Sequence, residues 1–209
     1  MKIAVLSESP ADEAAIRILV EGLIDSQTES IDLNLRTRPG GWPMVRNVLP
    51  EVLRTLHYQT DAEALVVVVD SNHSPIHQPS HDPSGQSDPK CRICQLRDTV
   101  SGITLRSRSG LPPIKTAFGL AVPAIEAWYR CGNDPHVTES AWVQALQSGS
   151  YPYTKNRLKE DVYGTDRPSL RLETNRAIEE AQRVSRDLSL LEKLFQNGFG
   201  HLAKDVRCW

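Results

Sequence analysis

The chain has 209 residues, which at roughly 100–200 residues per domain predicts one domain, or one with a small appendage. A chain of this length buries about 70% of the surface it exposes when unfolded. Lys and Arg number 24 against 26 Asp and Glu, a net charge of −2, which excludes a uniformly basic nucleic-acid coat and an acidic disordered chain.

The longest apolar run, Ala64–Val69, is far short of a bilayer span. The opening residues enter a strand pattern without the longer apolar core and cleavage site of a signal peptide. A soluble, cytoplasmic protein is expected, whose four cysteines serve as thiols or metal ligands rather than as a disulfide framework.

Lys2–Leu6 reads as a short strand ending in the polar turn Ser7-Glu8-Ser9-Pro10. A helix over 11–23 follows, with Ala15, Ile16, Leu19, Val20 and Leu23 at helical spacing. Ser9 suits its cap, Pro10 its first turn, and Asp12 and Glu13 its positive end. Ile31–Leu35 alternates apolar and polar as a half-buried strand does, and Arg38-Pro39-Gly40-Gly41 breaks it. The apolar spacing over 43–57 predicts a helix, in which Pro50 calls for a kink or a split. Ala64–Val69, ending at Asp70, has the continuous apolar character of a parallel strand buried on both faces.

This β-α-β-α-β order is that of an α/β domain with helices on both sheet faces. Ser71–Arg97 holds Pro75, Pro79, Pro83 and Pro89 among polar residues and predicts a long functional loop. A strand over 114–122 and a helix over 124–129 follow. The last 75 or so residues read as mainly helical, over 139–146, 153–161 and 174–196. The expected layout is an α/β domain over residues 1–132, with a loop insertion over 71–112, and a helical extension over 133–209 packed on it.

In open parallel sheets ligands bind beyond the carboxyl ends of the strands. Glu8, Asp70 and Glu126 all fall there, and Asp12 lies one helical turn from Glu8. Carboxylates gathered at one edge repel one another unless a hard divalent cation, Mg²⁺ or Mn²⁺, joins them. Such an ion can polarise a phosphodiester and activate water. For each residue alone a blander role competes: Glu8 as a helix-dipole partner, Asp70 as a loop cap.

The run Glu8-Ser9-Pro10-Ala11-Asp12-Glu13 between strand and helix resembles the opening motif of Toprim domains, in the variant of the overcoming-lysogenization-defect nucleases and their small stand-alone relatives. Gly40-Gly41, the strand ending in Asp70, and above all Ile125-Glu126-Ala127-Trp128 are similar to that layout over about residues 1–130. The resemblance implies a Toprim-like (Rossmann-like) fold, a divalent-metal site of Glu8, Asp12, Asp70 and Glu126, nuclease activity, an anti-phage or mobile-element setting and an ATPase partner. Two positions depart from the pattern: Ser9 replaces the usual Gly, and Asp70-Ser71-Asn72 replaces Asp-x-Asp, with one negative charge fewer for a second metal.

His73, His77, His81, Cys91 and Cys94 share the long loop. The Cys91-x-x-Cys94 spacing with two histidines suits a structural zinc, whose binding energy would order so apolar-poor a segment; His77 and His81 are the expected partners. An ordinary polar loop with free thiols is the alternative. His73 has a further option beside Asp70, as base or ligand. A redox CxxC is disfavoured because the motif does not open a helix after a strand.

Residues 86–115 carry Lys90, Arg92, Arg97, Arg106, Arg108 and Lys115 against Asp88 and Asp98, and Arg106–Gly110 suits phosphate contacts. Tyr151-Pro152-Tyr153-Thr154-Lys155-Asn156-Arg157 mixes aromatics with cations, as single-strand binders do; a solvated surface is the alternative for both stretches. Lys155 is the candidate for neutralising charge at a phosphoryl group, and Trp128 is expected in the core. The leading expectation is a metal-dependent phosphodiesterase acting on DNA or RNA. Behind it stand an inactive Toprim-like module that binds nucleic acid, nucleotide or an ATPase, and a zinc-stabilised interaction protein.

Overall fold

A computed structural model describes residues 1–33, 40–81, 87–107 and 112–209. Strand β1 (Lys2–Ser7) lies at its centre and pairs in parallel with β2 (Glu29–Ser30) on one side and with β3 (Ala64–Asp70) on the other. Strand β4 (Lys115–Ala121) pairs in parallel with β3, giving the order β2-β1-β3-β4. The first six residues of β3 are all buried, as a strand covered on both faces must be. The fold class is therefore α/β with an all-parallel four-stranded sheet flanked by helices. The second strand is shorter and earlier than the alternation over 31–35 suggests: Ile31 adds one further bond, its N–H reaching Ile3 C=O at 2.8 Å, and residues 34 and 35 lie outside the described residues.

Helix α1 (Pro10–Ile24) starts as its sequence dictates, with Ser9 in extended backbone accepting from Ala11 N–H. Helix α2 (Trp42–Gln59) runs unbroken through Pro50, so the expected split is absent. The carbonyl that Pro50 leaves without an intrahelical partner belongs to Arg46, an exposed position, where water can take it. The turn before α2 uses Gly41 at φ 94°, a backbone shape closed to most side chains.

Connections that leave β1 towards β2 and return past it to β3 place their helices on opposite faces when both are right-handed. Accordingly α1 packs with the C-terminal helix α9 (Phe199–Arg207), and α2 with α3 (Arg92–Ser101).

Helix α3 corrects the sequence reading. Six of its ten residues lie inside the stretch 71–97 expected to be loop and all ten inside the expected insertion. The Cys-x-x-Cys motif does open a helix, though not one that follows a strand directly: Cys91 occupies the cap position and Cys94 the first turn. The connection from β3 also includes a single 3-10 turn, Pro79–His81.

Beyond β4 come α4 (Ile125–Tyr129), α5 (Glu139–Ser148), α6 (Lys155–Tyr163), α7 (Leu170–Val184), α8 (Leu188–Leu194) and α9. The single helix expected over 174–196 is two, because Asp187 interrupts it and caps α8 by accepting from Leu190 N–H at 3.0 Å. Helix α7 packs along α1, and α9 along β4. One apolar core thus joins sheet residues such as Val66 and Leu120 to Ala177, Leu191 and Phe199 of the later helices. Trp128 sits in that core, edge-on to Phe199 at 5.2 Å.

Candidate functional site

Strand order reverses at β1, whose neighbours β2 and β3 are reached by opposite crossovers; a crevice at the carboxyl ends is the usual consequence. Here it is a pocket of about 220 Å³ lined by Glu8, Asp12, Asp70, Glu126 and Glu173, with Lys155, Lys159 and the small residues Ser7, Ser9 and Gly41. Glu8 follows β1, Asp70 closes β3, and Glu126 stands in α4, one turn beyond β4. The end of β4 is drawn to the end of β3 by Ser71 N–H donating to Ala121 C=O (2.7 Å) and Asn72 N–H to Pro123 C=O (2.9 Å), the Val122–Pro123 peptide being cis.

Asp70 organises the floor of the pocket. Its N–H donates to Glu8 Oε1 (3.0 Å), and its Oδ1 accepts from Ile125 N–H (3.1 Å) at the start of α4. Its Oδ2 accepts from Lys155 Nζ at 2.7 Å, and the same ammonium reaches Asn72 Oδ1 at 2.8 Å. The position at which the resemblance expects a second acid therefore presents a neutral oxygen to a lysine. Arg92 Nη1 lies 3.2 Å from Glu8 Oε1 and also donates to Asp70 C=O, while its guanidinium sits over the Trp42 ring at 5.0 Å.

The remaining acids are poorly compensated. Asp12 is buried and accepts from Tyr129 O–H at 3.0 Å. Burial raises its carboxyl well above the usual range, and Glu126, Asp70 and Glu173 add to that push. Burial, with the charge of Asp70, also lifts Glu126 to about 7, although Lys159 stands 3.8 Å away. Glu8 is raised by burial and by Asp70 against the opposing pull of Arg92; Glu173 is raised mainly by burial. Lys155 is pulled down by its own burial, but Asp70, Glu126 and Glu8 together outweigh this and hold it above the ordinary lysine value. The Tyr163 hydroxyl is buried without a hydrogen-bond partner among the described residues, in the field of Glu126, Asp12, Glu173 and Asp70.

The five sequence candidates Glu8, Asp12, Asp70, Glu126 and Lys155 thus share one pocket. Glu173 and Lys159 are its unforeseen members, and Arg92 borders it through Glu8. Lys159 had a readable signal, one turn from Lys155 on the same helix; Glu173 had none beyond its place in the first turn of α7. His73 belongs elsewhere: it is exposed and lies edge-on to Tyr151 at 6.3 Å, lining a neighbouring pocket with Asn72, Trp142, Tyr151, Tyr153 and Lys155.

The basic stretch is not one free surface. Arg92 serves Glu8, Arg97 donates to His201 Nε2 (2.7 Å), and Lys115 Nζ donates to the Trp209 main-chain oxygen (2.6 Å); Arg108, Ser109 and Gly110 lie outside the described residues.

A second cluster lies in the connection between β3 and β4. The ligand atoms of His77, His81, Cys91 and Cys94 all fall within 4.8 Å of one another, and His77, Cys91 and Cys94 are buried. Among the described residues it is the one group of three or more His, Cys, Asp or Glu side chains whose ligand atoms lie this close together. No helix among the described residues is long and apolar enough to cross a membrane. No protein-family model, curated protein or solved structure matches the chain.

Proposed function

We propose that the pocket at the carboxyl ends of β1, β3 and β4 is the active site of a divalent-metal-dependent, Toprim-like phosphodiesterase that acts on nucleic acid. The convergence of Glu8, Asp70 and Glu126 from three separate stretches of chain carries this reading. Five carboxylates face two lysines in the lining, and four of the five resist ionisation chiefly through burial, with the charges of the others adding to it. Hard oxygen donors with residual negative charge, near the Tyr163 hydroxyl that has no hydrogen-bond partner among the described residues, fit Mg²⁺ or Mn²⁺. Glu8 and Asp70 would hold the ion, with Asp12 and Glu126 supporting. Such an ion, when bound, supplies Lewis acidity and a more acidic water.

The chain's own side chains supply the rest. Lys155, fixed by Asp70 and Asn72, stands where an ammonium can offset charge that grows on a phosphoryl oxygen. Arg92 orients Glu8. Glu126, poised near neutrality, can take or return a proton at its carboxylate. A defence or mobile-element setting and an ATPase partner follow from the resemblance alone.

Labelled DNA and RNA incubated with Mg²⁺, Mn²⁺ or EDTA test the reading. Cleavage is expected with metal only. In Glu8→Ala and Asp70→Ala it should fall by roughly a hundredfold or more, since even outer-shell partners of metal ligands are worth about 10- to 100-fold. Absence of metal-dependent cleavage in the wild type would remove the enzyme and leave a binding module, which the neutral Asn72 and the lysine on Asp70 favour. The second cluster suits zinc, two thiolates and two imidazoles being its common structural set.

A further inference from the structure

We infer that a zinc ion held by His77, His81, Cys91 and Cys94 fixes Arg92 against Glu8 at the border of the acidic pocket, so that a structural metal in the β3–β4 connection sets the position of a cation at the strand ends. Four tetrahedral ligands at Zn–S of about 2.3 Å and Zn–N of about 2.0–2.1 Å stand, from sulfur to nitrogen, about 3.6 Å apart. Cys91 Sγ and Cys94 Sγ lie 3.4 and 3.6 Å from His77 Nδ1, and Cys94 Sγ lies 3.6 Å from His81 Nδ1. Hydrogen bonding explains this arrangement less well. One ring nitrogen carries either a proton or a lone pair, so His77 Nδ1 can bond only one of the two sulfurs that approach it. A cation at the centre serves all four ligands at once.

The link to the pocket is covalent and short. Arg92 is the first residue of α3, between the two cysteines. Successive helical residues point about 100° apart, so when the cysteines face the histidines, Arg92 faces elsewhere. It faces Glu8 and the carbonyl of Asp70, across the Trp42 ring. Ile93 and Leu96 bury the body of α3, while its first turn meets the preceding polar segment through Cys91 and Cys94 against His77 and His81. Zinc would turn that segment into a rigid mount, since metal-binding energy becomes folding energy. Arg92 is thus a positioning residue for Glu8. The consequence for phosphodiester chemistry rests on the reading above; the zinc and its hold on Arg92 do not.

The test uses the whole chain. Elemental analysis is expected to give about one zinc per chain, and Co²⁺ in its place should show the visible bands of a tetrahedral thiolate site. In ¹⁵N NMR the Arg92 Nε–H signal is identified by its absence in Arg92→Lys. On chelation it should move to the position of an unconstrained arginine while the amides of β1, β3 and β4 stay, and zinc should restore it. Less than about 0.2 zinc per chain overturns the inference, as does an Arg92 signal indifferent to chelation. Collapse of the entire spectrum also overturns it, by making the ion a staple of the whole fold rather than a mount for one residue. Zinc-dependent Arg92 in a protein without nuclease activity would leave this inference standing and remove the enzymatic reading alone.

Discussion

Glu126 is 3% exposed, and its carboxyl is raised from the ordinary 4.5 to about 7 by burial and by Asp70. A group whose folded value exceeds its unfolded one leaves stability intact below the unfolded value and withdraws it as pH climbs through the folded one. The protein in EDTA should therefore lose stability between about pH 4.5 and 7, and Glu8 and Asp12 act in the same sense. Glu126→Gln should flatten that slope and add up to about 3 kcal/mol at pH 8, because a tenfold change in proton affinity is worth about 1.36 kcal/mol. Urea melts of both proteins across this range check it; equal slopes would mean that Glu126 ionises without cost. Residues of this kind are legible in the sequence because each acid follows a strand, and strand ends meet in a parallel sheet. Glu173 and Lys159 are not, since nothing local tells where a later helix docks. Asn72 is readable as a missing charge, but the bond that Lys155 makes to it is visible only in three dimensions.

Among the elements, α1, α2, β3 and β4 declare themselves through apolar period and turn chemistry. Helix α3 does not: prolines, histidines and serines precede it, and its inward residues Ile93, Cys94 and Leu96 are too few to give a clear period. Helix α9 had a readable face in Phe199, Leu202, Ala203 and Val206, at the spacing of a buried stripe. Its entry depends on Gly198, where a Cβ would stand 2.2 Å from Leu120 C=O. The Gly198 N–H meanwhile donates to Glu139 Oε2 at 2.8 Å, and Asn197 donates to the same carboxylate. A methyl group there cannot be absorbed by a flexible neighbour. Gly198→Ala should cost roughly 1–3 kcal/mol or more, read as a lower urea midpoint with an unchanged slope. A neutral result would show that β4 and α9 can slide apart.

Over the whole molecule, the sheet and the later helices share one core: α7 lies along α1, α9 along β4, and Lys155, Lys159 and Glu173 reach the pocket from α6 and α7. A fragment of residues 1–132 should accordingly show no cooperative melt by calorimetry; a sharp transition would make the helices an appendage. The fold class and a helical extension packed on it were predictable from the sequence, whereas the particular pairs, α7 on α1 and α9 on β4, were not, because long-range packing leaves no period in a sequence. Helix α9 also finishes the sheet. At the outer side of β4, His201 Nδ1–H donates to Phe118 C=O at 3.0 Å, and Asp205 Oδ2 accepts from Phe118 N–H at 3.2 Å. Arg97 holds both side chains from behind. Two side chains thereby imitate the absent neighbour of Phe118, and a stray polypeptide arriving in extended form finds that rung already taken. Protection against templated aggregation along this flank is thus built from imidazole and carboxylate rather than from another ribbon of backbone.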